Sequence, residues 1–482
     1  MDAHELRGGV LADKDPDTTI RDLELALPGR VLRDLSDVRP YSHDRSRHRW
    51  APALAVVLAE STDDVATAVR ICGTAGVAVI ARGAGTGLEG GANALSVRED
   101  MGDRDDTTRS ASVVVDLMRM NRVLHVDPDS ADATVEAGVR RSELNPALAV
   151  HGLQFVAGPG VDASIGGMAA TRASGTNAVK HGTMADNVRG LTVVMSDGSV
   201  VRTGSRARKS AAGYDLTHLF VGSEGTLGII TELTLRLTPV PAAHELAVYS
   251  FPSVRAAALV VQRALHAGID LGRAELLDTV QIEALNSYSH TDFRAAPTLF
   301  VELSGDPHII AHHAERLEVI MAAQGMLERR RIEGDDPERF WKVRHDALPA
   351  AQALRPDSYT WSTDVCVPIS HLADCITETQ ADIDASGLVA PIAGHVGDGN
   401  FHLAFVLRNG DDDERERAAA LTSRMIRRAL AVGGTCTGEH GIGVGKMQDL
   451  IEEHPSGIGV MRAIKDALDP RRILNPGKML DG

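Results

Sequence analysis

The chain has 482 residues, 43% of them hydrophobic and 24% charged, an ordinary composition for folded domains in a chain too long for a single core. Lys and Arg total 50 against 66 Asp and Glu, and the net charge of −16 argues against nucleic acid as the main partner, although a local arginine or metal can reverse the field inside a cleft. No apolar run reaches the length of a membrane span, and "MDAHELRGGVLADKD" lacks a basic region followed by an apolar stretch, so a cytoplasmic location is expected.

Residues 1–47 are expected to form an N-terminal helical segment. After it, "ALAVVLAES" reads as a strand and "TDDVATAVRICGTAG" as a helix capped by Thr62 and stopped by Gly76. "VAVIARG" then reads as a second strand, completing a β-α-β unit. Directly behind it comes "ARGAGTGLEGGAN", Ala81 to Asn93. Successive glycines let backbone N–H groups turn toward an anion, and Arg82 and Thr86 add donors, so a pyrophosphate fits; a mobile glycine-rich turn gives the same pattern. The stretch has neither the Lys-Ser/Thr of a Walker loop nor the following helix of a Rossmann fingerprint. "REDMGDRDDTTR", Arg98 to Arg109, reads as a solvated surface loop.

Two further glycine clusters follow, "AGPGVDASIGGMAATRASGTNAVKHG" (Ala157 to Gly182) and "VGSEGTLGIITEL" (Val221 to Leu233). Together the clusters exceed what turns require, and a dinucleotide threaded past many backbone amides accounts for them. Pro239 and Pro241 mark a boundary, dividing residues 48–241 from 242–482. Beyond it, helical patterns such as "VRAAALVVQRALHAG" alternate with strands such as "PTLFVELSG", which makes this part α+β.

In "AGHVGDGNFHLAF", Asp398-Gly399 reads as a two-residue type I′ turn, so that His395 faces His402 directly across the hairpin. Two imidazoles so placed can converge on a metal ion; two ordinary strand histidines give the same pattern. After the helix "DDERERAAALTSRMIRRALAVGG", the stretch "TCTGEHGIGVGKM" offers Glu439 as a third ligand, leaving positions open for substrate. Zinc and manganese both suit two imidazoles and a carboxylate. In extended backbone Glu439 and His440 would point to opposite sides, and His440 is a candidate general base, a hydrogen-bonded structural histidine being the alternative. The four cysteines, at 72, 366, 375 and 436, show no CxxC spacing and are expected to be reduced; Cys436 stands near Glu439.

Taken in order, "RGAGTGLEGG", "GPGVDASIGGMAATRASGTNAVKHGTM", "GSEGTLGIIT", "GHVGDGNFH", "GGTCTGEHGIGVGK" and "DPRRILNPGKM" resemble the FAD-linked D-2-hydroxy-acid dehydrogenases of the vanillyl-alcohol-oxidase superfamily, from about Trp50 onward. The branch of greatest similarity is the cytochrome-linked D-lactate dehydrogenases, with glycolate oxidase large subunits and D-2-hydroxyglutarate dehydrogenases as cousins. The resemblance implies an α+β protein: a two-lobed FAD-binding domain of the vanillyl-alcohol-oxidase type and an α+β cap domain with an antiparallel sheet, the active site between them. It implies that Arg82, Gly83, Ala84, Gly85, Thr86 and Gly87 bind the FAD diphosphate. Pro159, Gly160, Ser164, Gly166, Gly167, Gly175 and Thr176 would line the flavin, ribityl and phosphate path. Glu224, Gly225, Ile229 and Ile230 would hold the adenine end or nearby ribose. The first loop has neither His nor Cys, so FAD is expected to be non-covalent.

The resemblance also implies His395, His402 and Glu439 as ligands of a divalent metal and Arg344, in "FWKVRHDAL", as the clamp on the substrate carboxylate. The expected reaction removes the 2-hydroxyl proton of a hydroxy acid at His440 and passes its C2 hydride to flavin N5. Where the hydroxyglutarate branch has a Lys and an Asn, this chain has Ser362 and Ala404, which favours a small monocarboxylate such as D-lactate over D-2-hydroxyglutarate. Trp361 and Leu348 are candidates for an apolar wall around a short alkyl group, with core packing as the alternative. A cytochrome, a quinone, an electron-transfer flavoprotein or oxygen could each accept the electrons, and a homodimer is one open expectation for assembly. A flavin-binding subunit without chemistry would need no open metal site, and a metal-dependent hydrolase would leave the glycine clusters unexplained.

Overall fold

A computed structural model describes residues 16–48, 51–94, 112–332 and 337–480; the polar stretch Arg98 to Arg109 lies outside them. The expected β-α-β unit is present, with strands Ala55–Leu58 and Ala78–Arg82 each parallel to Ser112–Asp116. Val57 joins the main core of this half while Val56 joins a smaller cluster on the other face, so the strand is apolar at every position rather than alternating. The helix Thr62–Ala75 between them is capped by Ser61, whose extended backbone lets its hydroxyl accept from Asp64 N at 3.2 Å. Thr62, expected as the cap, is one residue inside the helix and donates to Thr231 instead. Gly76 ends the helix at φ +71°, a conformation that costs a residue with a Cβ about 1 kcal/mol or more.

A second sheet, antiparallel throughout, runs in the order Val123–Asp127, Asp132–Glu136, Ile229–Arg236, Val188–Val194, Val200–Gly204. Helix Thr62–Ala75 packs between the two sheets in one continuous core that includes Val69, Val113 and Val193. The two sheets are the two lobes of this half.

From Ala243 onward the chain builds a seven-stranded antiparallel sheet. Its order is Glu328–Ile332, Ala243–Ser250, Thr298–Gly305, Arg273–Leu277, Ile392–His395, Asn400–Arg408, Ser358–Cys366. Alternate residues serve different faces. Ala247, Leu276, Leu403 and Phe405 pack on the long helices Val254–His266, Ile369–Ser386 and Asp412–Ala431. Val248, Leu277 and Phe300 pack on Thr279–Tyr288 and Pro337–His345.

The chain then returns to the first half. Ile473 and Leu474 enter its core, and Leu474 forms a parallel bridge with Val79 on the outer strand of the first sheet. Buried Lys465 fastens this return through Thr226 O (2.8 Å), Leu474 O (2.9 Å) and Asp469 Oδ2 (2.5 Å). A second fastening runs the other way: Glu224, at φ +50°, accepts from Ile442 N at 2.7 Å and Gly443 N at 2.9 Å. Burial pushes the Glu224 carboxyl up to about 7 against these two amides, which favour its charged form.

Two outcomes are expected. Ser61→Ala leaves Asp64 N without its cap and lowers stability by about 1 kcal/mol, read as a lower urea midpoint. For Glu224 the folded carboxyl lies above its ordinary 4.5, so the stability it contributes is complete below that value and is lost as pH rises through about 7. Thermal melts of parent and Glu224→Gln should show the parent losing ground to the variant across that interval, and a constant gap would refute the linkage.

Candidate active site

The glycine clusters wall a single cleft. Arg82, Gly83, Ala84, Gly85, Thr86 and Gly87 line it, together with Pro159, Ser164, Gly166, Gly167, Glu224, Gly225, Ile229 and Ile230. Gly160 and Thr176 border a second cavity between the halves, and Gly175 borders neither. At Gly175, φ +133° and the carbonyl of Gly158 leave no space for a Cβ. The loop lies against Ser164, whose Oγ accepts from Ala84 N at 3.3 Å and occupies the space a side chain at Gly83 would need.

Two side chains of this cleft also have partners within the protein. The Arg82 guanidinium, on the cleft wall, also donates to His43 O at 2.6 Å and Pro40 O at 3.4 Å and so braces the N-terminal segment over the loop. The Glu224 carboxylate accepts from the amides of Ile442 and Gly443 while lining the cleft.

Glu439 and His440 complete the wall of the same cleft. The hairpin behind Glu439 differs in register from expectation. Ala393, not His395, faces His402, because four residues rather than two make the turn: Asp398 N donates to His395 O and Gly399 N to Val396 O. Gly399 alone of the Asp-Gly pair has positive φ, so the turn is not type I′. A shift of two residues preserves the face on which side chains emerge, and the diagonal neighbours still meet. The His395 and His402 rings lie 5.1 Å apart at 82°. Glu439 Oε1 is 3.0 Å from His395 Nε2 and 3.4 Å from His402 Nε2.

Burial alone would lower the His395 imidazole, but Glu275 and Glu439 outweigh it and hold it up to about 10. Glu439, which burial alone would raise, is held down to about 2 by His395 and its neighbours. His402 is pushed well below the ordinary imidazole value by burial and by His440. Glu439 Oε2 and His402 Nδ1 are buried without a hydrogen-bond partner.

Glu439 and His440 do not project to opposite sides of an extended strand. The segment bends, and both reach the cleft wall beside His402. Asp364 sets the bend. It is fully buried, faces His402 across the sheet, and its Oδ2 accepts from Gly438 N (2.6 Å) and Glu439 N (2.9 Å). Lys446 Nζ lies 2.5 Å from the other oxygen, Oδ1, and His440 Nδ1 lies 3.5 Å from it. The His440 and His402 rings stack at 5.1 Å.

Arg344 is 7% exposed and directs Nε (2.9 Å) and Nη2 (2.7 Å) at Glu275 Oε2. Ser362 and Ala404 face each other in register on the side of the sheet that carries His402, and Leu348 packs beside Ala404. Trp361 lies on the opposite side, packed on Phe405 with the Arg47 guanidinium 3.7 Å over its ring, so it is a core residue and no wall for a substrate. Cys436 is buried, and burial pushes its thiol up, away from reactivity. Asp364, Glu275 and Lys446 were not singled out from the sequence. Their only signal is register: Asp364 faces His402 and Glu275 faces His395, a pairing that appears only when the strand order is known.

A model described as "FAD binding domain" matches residues 53–204, and one described as "FAD linked oxidases, C-terminal domain" matches residues 240–479. The chain is 46% identical over 446 residues to a "Probable D-lactate dehydrogenase, mitochondrial" of Danio rerio, covering 92% of this chain and 87% of that one. It is 38% identical over 471 residues to "D-lactate dehydrogenase [cytochrome], mitochondrial" of Arabidopsis thaliana, covering 96% and 80%. Among solved structures, p-cresol methylhydroxylase with substrate bound superposes with a TM-score of 0.77 at 18% identity over 96% of this chain and 97% of that one, a likeness of fold. No described helix is long and apolar enough to cross a membrane. The chain belongs to the FAD-linked oxidase family that includes the D-lactate dehydrogenases.

Proposed function

We propose that the chain is an FAD-dependent D-lactate dehydrogenase that oxidises D-lactate to pyruvate, with a divalent cation assisting. The observation that carries this reading is that Glu439 and His440 line the same cleft as the three glycine clusters, so the acid-base group and the dinucleotide share one space. FAD held along this cleft would supply a two-electron acceptor for the C2 hydride. The donor set of His395, His402 and Glu439, with ligand atoms within 4.8 Å of one another and Glu439 Oε2 buried without a partner, fits zinc or manganese. An ion held by these residues would lower the pKa of a 2-hydroxyl beside it.

The chain's own residues do the rest. His440 has Nδ1 turned toward Asp364, so Nε2 is the nitrogen that takes the hydroxyl proton. Arg344 binds the substrate carboxylate through the edge of its guanidinium not held by Glu275. Ala404 and Leu348 offer a methyl-sized apolar surface, and Ser362 opposite Ala404 supplies no cation for a second carboxylate. Its four free thiols suit a reducing compartment, which supports a cytoplasmic location.

Anaerobic mixing with D- and L-2-hydroxy acids tests the reading. D-lactate should bleach the flavin absorbance, L-lactate should not, and chelation should suppress the bleaching; rapid reduction that ignores the chelator would remove the cation from the reaction. His440→Ala should slow reduction by about 10²- to 10⁴-fold while retaining FAD, and an unchanged rate would take the base away from His440.

A further inference from the structure

One buried carboxylate joins the two ends of this site. Glu275, on strand Arg273–Leu277, is fully buried and directly opposite His395 on the neighbouring strand. Its Oε1 accepts from His395 Nδ1 at 2.7 Å. Its Oε2 accepts from Arg344 Nε at 2.9 Å and forms an ion pair with Nη2, 2.7 Å away. Arg344 arrives from another element, helix Pro337–His345, so this one side chain ties two separate parts of the cap together.

Both bonds have a directional consequence. A hydrogen bond through Nδ1 fixes the rotation of the His395 ring and presents its Nε2 to Glu439 and His402, where a bound cation would take the place of the Nε2 proton. A guanidinium held along its Nε/Nη2 edge is locked in plane and keeps the Nη1/Nη2 edge for a second carboxylate. No partner of Nη1 is found among the described residues.

We propose that Glu275 is the positioning residue for both cation and substrate: it aims His395 at the cation and Arg344 at the hydroxy-acid carboxylate, so one side chain sets both affinities. The inference rests on the cation reading above and adds to it the group that governs it. A carboxylate that only neutralised Arg344 in the core would leave cation affinity unaltered.

The test uses full-length, FAD-loaded protein with Mn²⁺ as the probe. Mn²⁺ binding is measured at equilibrium without substrate, and kcat and KM for D-lactate are measured separately, for the parent and for Glu275→Gln. Mn²⁺ affinity should fall about 10- to 100-fold, the range found when a partner of a ligating histidine is removed, and KM should rise more than kcat falls. Unchanged Mn²⁺ affinity in a folded, FAD-loaded variant overturns the proposal. Failure of the parent to bind Mn²⁺ overturns instead the cation reading beneath it. Should Glu275→Gln not fold, histidine ¹⁵N spectra of the Zn²⁺-loaded parent decide the matter: His395 protonated at Nδ1 supports the assignment, and protonation at Nε2 rejects it.

Discussion

The site depends on the two-residue period of a β-sheet. Glu275, His395, His402 and Asp364 lie on neighbouring strands of the seven-stranded sheet and emerge on one face, while Leu276, Leu403 and Val365, one step away, enter the core on the other. A slip of one residue in any of these strands would exchange a ligand for a core side chain. That constraint explains why the hairpin tolerates a turn two residues longer than its sequence suggests: any even displacement leaves both imidazoles on the same side.

Around this face, charge is balanced by pairs rather than by solvent. Asp364 stands between Lys446 and the amides of Gly438 and Glu439, and Glu275 stands between His395 and Arg344. Breaking such a pair from one side leaves the other charge buried alone, at a cost of about 3–5 kcal/mol. The bend at Gly438 to His440 is therefore held by the cap sheet through Asp364 and by the first half through Glu224. Glu439 and His440 lie where these two holds meet.

Much of this is legible in the sequence. The β-α-β unit, the three glycine clusters and the pairing of the histidines with Glu439 all follow from local composition and period. What escaped were properties that depend on distant partners. Thr62 and Ser61 are both good caps, and only the extended backbone at Ser61 decides between them. That Arg82 also braces Pro40 and His43 shows only once their segment is laid over the loop. Trp361 looks like a pocket wall until strand parity assigns it to the other face. Glu275 lies 120 residues from His395 in the chain, and no local pattern announces that they touch.

The return of Ile473 and Leu474 to the first core makes the two halves unequal in time. During synthesis the cap can close its sheet once Arg408 has emerged, whereas the amino-terminal half, begun hundreds of residues earlier, leaves the outer edge of strand Ala78–Arg82 without its neighbour until the final segment appears. An unpaired edge is a template for pairing with other chains, so this topology lengthens the interval in which that edge stands open. The part translated first is the part completed last.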